Sequence, residues 1–493
     1  MPNPPKLRRP LVLASVMASM FMIAIEATIV STAMPGIAGQ LGDLHLYSWV
    51  FASFLLAQTA TTMVFGKLAD IHGRRPVMLW GIAIFLAGSI LCGFAWSIPS
   101  LIAFRLVQGI GAGAIQPVSL TVVGDLYTVE ERARIQGWLA SVWGISSVAG
   151  PLVGGVIIGH VSWAWIFWMN IPIGLLAAAG FWLFLREDVA RERRPVDAAG
   201  ALLLTLAVAG LMVAATEPGT ALSIAALVGG LVCTAAFLWQ ESRAPDPILD
   251  VALWLRRPLA TSNASVLFSG MAMIGLTTFL PMYVQAVMGR SALVAGFTLT
   301  VMVLGWPLGA TVAARLFGRF GLRACLLFGA ALVPAGSVAF VLLGPDSSPW
   351  VAGAGSFVLG LGMGFLSISA IVMVQESVGW SERGAATASN VFSRNLGSAL
   401  GAAVLGGVLN IGLARSGGAA AGIDYDAIRR LLEHGGGAGS TVVDGTVRAA
   451  LDASLHLTFW AVLGTAVITL LLALLVPQVA PRARAAEAAA PAD

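Results

Sequence analysis

Charge is what this chain has least of. Only 11% of its residues are Asp, Glu, Lys or Arg, against about 25% in soluble globular chains, so ionised groups cannot cover a water-facing surface. Cysteine is nearly absent. Cys92, Cys233 and Cys325 are odd in number, lie inside apolar runs and have no metal-ligand spacing, which speaks against a disulfide framework or a zinc site. The five histidines, His45, His72, His160, His434 and His456, fall in loops or near the ends of apolar runs. No Gly-x-x-x-x-Gly-Lys-Ser/Thr phosphate loop occurs, so ATP is not the expected energy source. No Ser/His/Asp arrangement is evident either. Catalysis and resident metals are therefore not expected, and neither is any cofactor.

What fills the space is apolar. Hydrophobic residues make up 58% of the 493, and the mean hydropathy is +0.88. The apolar residues come in runs of about 20, the length a helix needs to cross a ~30 Å hydrocarbon core. In lipid such runs must be helical, because nothing else satisfies backbone N–H and C=O groups. Spans are placed at roughly 11–32, 48–68, 77–95, 100–121, 138–158, 166–185, 198–216, 221–239, 261–283, 293–314, 324–343, 350–373, 384–410 and 456–477, with boundaries good to a few residues. The fold class expected is an all-α membrane protein of about fourteen spans.

The scarce charges orient it. Of the 28 Lys and Arg, 21 fall on the side holding the N-terminus and 5 on the other, while Arg105 and Arg394 lie within spans. Positive loops stay inside, so both termini are expected in the cytoplasm of a cell (inner) membrane. This accounts for the pI near 9.3 without nucleic acid. Trp49, Trp96, Trp163, Trp165 and Trp350 fall near outer span ends, in the headgroup layer. No cleavable signal peptide is expected, since the run after the basic Met1–Pro10 is too long.

A charged turn, Gly66-Lys67-Leu68-Ala69-Asp70-Ile71-His72-Gly73-Arg74-Arg75, joins the second and third spans, and Arg315–Arg323 echoes it between the tenth and eleventh. The echo divides the chain into a six-helix bundle over 1–185, a linker with two extra helices over 186–260, and a second six-helix bundle over 261–477. Its one long outer loop, 411–455, has room for a short helix around Tyr425–Glu433, and the Ala/Pro-rich tail 478–493 is expected to be disordered.

Four stretches carry a resemblance. Gly66–Arg75, with Gly66, Asp70, Gly73, Arg74 and Arg75, resembles the loop signature of the major facilitator superfamily. Arg105-Leu106-Val107-Gln108-Gly109-Ile110-Gly111 is similar to its fourth-helix Arg motif. The stretch from Gly144 through Gly150, Pro151, Gly154 and Gly155 resembles its fifth-helix antiporter motif. Trp165–Gly174 resembles the start of span six in the fourteen-span drug:proton antiporters. The resemblance covers nearly the whole chain, and the four motifs stand in the right order and topology. The resemblance implies a monomeric, proton-driven exporter of lipophilic small molecules working by alternating access, with protons and membrane lipid as its other partners.

Glu26 is flanked by apolar residues about 22 Å along the first helix. Ionisation there is costly, and an acid that is neutral for part of a cycle is what a proton carrier requires. The fourteen-span relatives usually place Asp there, so this chain departs by one methylene. The competing reading is a structural, permanently protonated carboxyl. Arg105 lies in the same outer half and can meet Glu26, or instead form a purely structural pair or snorkel. Asp70, with Arg74, Arg75 and Asp125, is placed for a cytoplasmic latch; alternatively the two arginines only set topology. Gly150-Pro151 admits a bend, or simple packing. Arg394 either contacts anionic substrate groups or holds the second bundle together. Gln58, Gln116, Trp143, Met271, Gln285, Asn390 and Phe392 are candidates for lining a central cavity, or are core or lipid-facing residues. A single membrane acid in the first half fits a neutral or monocationic substrate. The alternatives are a lipid or metabolite exporter on the same scaffold, a membrane-embedded transferase, and an uptake symporter. The missing catalytic constellation weighs against the second and the Gly-Pro motif against the third.

Overall fold

The computed structural model describes residues 8–41, 47–186, 197–216, 221–244, 247, 251–290, 292–415 and 442–478. Among them every regular element is helical, as backbone hydrogen bonding in lipid demands. In chain order these are α1 (Arg8–Leu41), α2 (Tyr47–His72), α3 (Arg74–Gly93), α4 (Ile98–Leu126), α5 (Val129–His160), α6 (Trp165–Trp168), α7 (Asn170–Phe184), α8 (Ala198–Thr216), α9 (Ala221–Glu241), α10 (Val251–Trp254), α11 (Arg257–Met282), α12 (Ala292–Val341), α13 (Pro349–Glu376), α14 (Arg383–Arg415) and α15 (Val442–Leu474). A single π-helical turn, Tyr283–Val287, follows α11. Eleven helices among the described residues are long and apolar enough to cross a membrane.

Helix starts are written locally. Ser97 accepts from Ser100 N while the Ser100 hydroxyl accepts from Ser97 N, a capping box that opens α4. Thr128 and Glu131 do the same for α5. Each box satisfies amides that the first helical turn leaves without partners.

α12 has 50 residues, which as a straight rod would measure ~75 Å, over twice the hydrocarbon thickness. Gly321 breaks it, at φ 82° and ψ 165°. Gly73, between α2 and α3, has nearly the same conformation, φ 93° and ψ 158°. This region of backbone space is open essentially to glycine alone. The two charged turns that echo each other in sequence therefore share a backbone solution.

The outer segment 411–455 is less of a loop than the sequence reading expects. α14 runs on to Arg415, and α15 begins at Val442. Arg448 and Asp452 lie on this helix, and both find partners. Asp452 pairs with His456 one turn on at 3.1 Å, and Arg448 donates to Val287 O at 2.5 Å. The helix expected at Tyr425–Glu433 and the tail beyond 478 lie outside the described residues.

Two compact units emerge. Unit 1 holds the chain up to Leu259 together with Val374–Phe392; unit 2 holds Ala260–Met373 and Ser393–Ala480. In unit 1, Ile25, Ile29, Val30, Met34 and Ile37 of α1 pack with Val50, Cys92, Leu101, Ile166 and Phe167. The two extra helices α8 and α9 pack on each other within this unit, and α8 also packs on α2. In unit 2 the core gathers Leu276, Leu280 and Tyr283 with Val333, Phe340, Leu359, Leu405, Leu451 and Phe459.

Candidate functional site

Five buried polar residues of unit 1, Glu26, Ser89, Arg105, Gln108 and Asn170, form one network across α1, α3, α4 and α7. Glu26 is 0% exposed and Arg105 2%. Arg105 Nη1 donates to Glu26 Oε1 at 2.5 Å and to Gln108 Oε1 at 2.8 Å, and its Nε donates to Val50 O at 3.2 Å. The guanidinium also lies over the Phe54 ring, 4.3 Å from its centroid. Asn170 Nδ2 donates to the other carboxylate oxygen, Oε2, at 2.6 Å and to Ser89 Oγ at 3.1 Å. Gln108 Nε2 closes the ring by donating to Ser89 Oγ at 2.8 Å. Snorkelling of Arg105 to a headgroup layer does not occur here. A charge in this setting is tolerable because it is paired and hydrogen-bonded.

Sequence reasoning singled out Glu26 and Arg105 but not Gln108, Ser89 or Asn170. The signal was partly visible: Gln108 lies one turn after Arg105 in the same motif, and Asn170 sits inside Trp165–Gly174. Ser89 has no sequence signature at all.

A second network surrounds the Gly66–Arg75 turn. Asp70, its side chain 6% exposed, pairs with Arg74 at 3.1 Å. Its two oxygens accept from Gly384 N at 2.9 Å and Ala385 N at 2.7 Å, in the first turn of α14. Those amides have no partners inside their own helix, and a carboxylate there also meets the positive end of the helix dipole. Arg74 Nε bonds Asp125 Oδ2 at 3.0 Å, its Nη2 donates to Trp380 O at 3.0 Å, and its Cζ sits 4.1 Å from the centre of the Trp380 indole. Asp125 uses its other oxygen for Arg383 at 2.9 Å. Beside this, Arg132 pairs with Glu376 at 3.0 Å and also donates to Gly124 O. In the turn before α5, burial pushes the Tyr127 hydroxyl above the ordinary tyrosine range, with Arg9 opposing, and that hydroxyl donates to Arg9 O at 2.8 Å.

The paired arginines separate here. Arg74 is the hub, whereas Arg75 turns to Trp182, donating to its carbonyl at 2.7 Å and stacking at 4.7 Å. Trp380, Arg383, Glu376 and Arg132 were not anticipated. Arg383 and Arg132 had been weighed only as charges that set topology.

α5 runs unbroken from Val129 to His160, through Pro151. Gly150 faces α1, where an added Cβ would collide with the Thr28 hydroxyl. That hydroxyl donates to Ser146 O at 2.9 Å, tying the same two helices. Gly144 is half-buried and Gly154 buried. The side chain of Pro151 and the packing of Gly155 lie outside the described residues.

Of the residues considered for a cavity, Gln58 and Gln116 meet at 3.3 Å between α2 and α4. Trp143, Asn390 and Phe392 also belong to unit 1, with Asn390 and Phe392 buried. Met271, Gln285 and Arg394 belong to unit 2. There Met271 is buried, Gln285 donates to Pro281 O at 3.3 Å, and Arg394 is half-buried where its carbonyl meets Gly270. A cavity of about 310 Å³ in unit 2 is lined by Val287, Asp346, Arg448 and Asp452 and includes none of these candidates.

Helices of membrane-spanning length surround a buried acid–base pair, the framework of a polytopic membrane protein, and the family it matches makes it a transporter rather than an enzyme. Residues 16–402 match the model of the Major Facilitator Superfamily, and the chain belongs to that family. It is 34% identical over 422 residues to the multidrug transporter protein MdtP of Bacillus subtilis (strain 168), covering 83% of this chain and 76% of that one. It is 32% identical over 403 residues to multidrug resistance protein 3 of the same organism, covering 80% and 79%. The fold is similar to that of the human organic anion transporter MFSD10, with a TM-score of 0.63 at 17% identity, over 95% of this chain and 100% of that one.

Proposed function

We propose that this protein is a proton-coupled antiporter that exports lipophilic small molecules by alternating access. The observation that carries the reading is the fully buried Glu26–Arg105 pair. It is supported by two bacterial relatives that are named for multidrug transport and multidrug resistance. The chain crosses the inner membrane about fourteen times, with both termini in the cytoplasm, and draws on the proton gradient without a cofactor.

In this cycle a proton from outside neutralises Glu26. The attraction between Glu26 and Arg105 then weakens, and because the site excludes water the change in Coulomb energy is large. Substrate binding from the cytoplasm or inner leaflet favours loss of that proton, so the two compete. The Asp70–Arg74–Asp125–Arg383 cluster is the cytoplasmic latch. It holds the Val374–Phe392 segment in one state and releases it in the other.

The test is substrate-triggered proton release from detergent-purified protein across lipophilic cations and neutral drugs, comparing wild type with Glu26→Gln. Release that disappears in the variant supports competition through Glu26. Measurable substrate binding with no release from either protein would sink the coupling reading.

A further inference from the structure

Both oxygens of Glu26 face donors. Arg105 Nη1 meets Oε1 and Asn170 Nδ2 meets Oε2, so this arrangement suits the carboxylate and offers no acceptor for an acid proton. Neutralising Glu26 therefore needs a neighbour that can turn from donor to acceptor. Arg105 has no acceptor atom. Gln108 is held at both ends, its Oε1 by Arg105 and its Nε2 by Ser89. Asn170 differs. It is 0% exposed, and its Oδ1 has no hydrogen-bond partner among the described residues. A buried acceptor left unmet costs about 1–3 kcal/mol, and such an atom calls for an explanation.

We propose that Asn170 is the positioning residue that reads the charge state of Glu26, its amide donating to the carboxylate and, turned over, accepting the proton of the acid. The inference rests on the proton-carrier reading of Glu26 and deepens it. Rotation about the Cβ–Cγ bond exchanges Nδ2 and Oδ1 with almost no change of shape, and the hydrogen-bond network decides which orientation is present. In the turned orientation Oδ1 faces both Glu26 and Ser89. The Ser89 hydroxyl now accepts from Asn170 and Gln108; after the turn it donates its own hydrogen to Oδ1 and still accepts from Gln108. Asn170 is the first residue of α7, so each change in Glu26 charge is registered at the start of that helix.

The experiment is infrared difference spectroscopy of the detergent-purified full-length protein through a pH titration, with Glu26→Gln identifying the Glu26 acid carbonyl band. The band is expected in wild type and shifts to higher wavenumber in Asn170→Leu, where the acid has lost its acceptor. Ser89→Ala leaves the amide in place and moves the band in the same direction by less. This second variant keeps the test available where Asn170→Leu does not fold. A Glu26 band that titrates but is unmoved by either variant overturns the role of Asn170 and leaves the proton-carrier reading standing. The absence of any titrating band that depends on Glu26 overturns both.

Discussion

Gly384 donates its backbone N–H to Asp70 Oδ1 at 2.9 Å, although 314 residues separate them in the chain. With Ala385 N on Oδ2, one carboxylate from the end of α2 serves as the anion at the start of α14. It is at the same time the partner of Arg74.

Asp70→Asn removes the charge from this junction. An amide keeps only one acceptor atom, and its NH2 confronts a backbone donor. The expected result is destabilisation of about 3 kcal/mol, read as a fall in thermal unfolding temperature of the purified protein, together with at least tenfold slower transport. Wild-type stability in this variant would show that the contact is incidental.

Arg74 and Arg75 are adjacent yet should not behave alike. Arg74→Ala leaves Asp70 and Asp125 facing each other without their shared cation, and transport should be nearly lost. Arg75→Ala removes an exposed contact to Trp182, which is worth about 1 kcal/mol or less, and should retain most activity. Efflux assays on the two single variants check this. Equal loss in both would mean that the pair acts through topology alone.

For Glu26 and Arg105, each single neutralisation strands a buried charge at a cost of about 3–5 kcal/mol. The double variant Glu26→Gln, Arg105→Gln strands neither. It should recover much of the stability lost in either single variant, while substrate-triggered proton release stays absent. A thermal-unfolding cycle paired with proton-release measurements separates the stabilising role of the pair from its coupling role.

Gly150→Ala places a methyl group against the Thr28 hydroxyl. Forced apart, α1 and α5 should lose about 1–3 kcal/mol. Thr28→Ala in the same chain makes room and should restore part of that loss. A strictly additive outcome in the double-variant cycle would show that the close approach of these helices is not what requires glycine at 150.

Much of the architecture was legible without coordinates, for one physical reason. Lipid removes every competitor for backbone hydrogen bonds, so apolar length converts directly into helices. Each segment read as a span is occupied by a helix, including the pair that flanks Gly321. The exception is instructive. At 442–455, read as outer loop, a helix carries Arg448 and Asp452, whose partners, Val287 O and the His456 ring, come from the turn after α11 and from the next turn of α15.

The candidate site divides along the same line. The rarity of charge in an apolar chain was enough to isolate Glu26, Arg105 and Asp70, since an ionisable group in lipid has to be paid for by a partner or a function. Glu26 and Arg105 are 79 residues apart, and that they meet at 2.5 Å is a property of helix packing. So is the choice of Arg74 over Arg75 as hub, and the recruitment of the neutral residues Ser89, Gln108 and Asn170, of which the last two lie in recognisable motifs and Ser89 in none. Hydropathy is a sum along the chain and can be read from it. Hydrogen-bond partners depend on distances of a few ångströms between helices, and only the tertiary structure decides those.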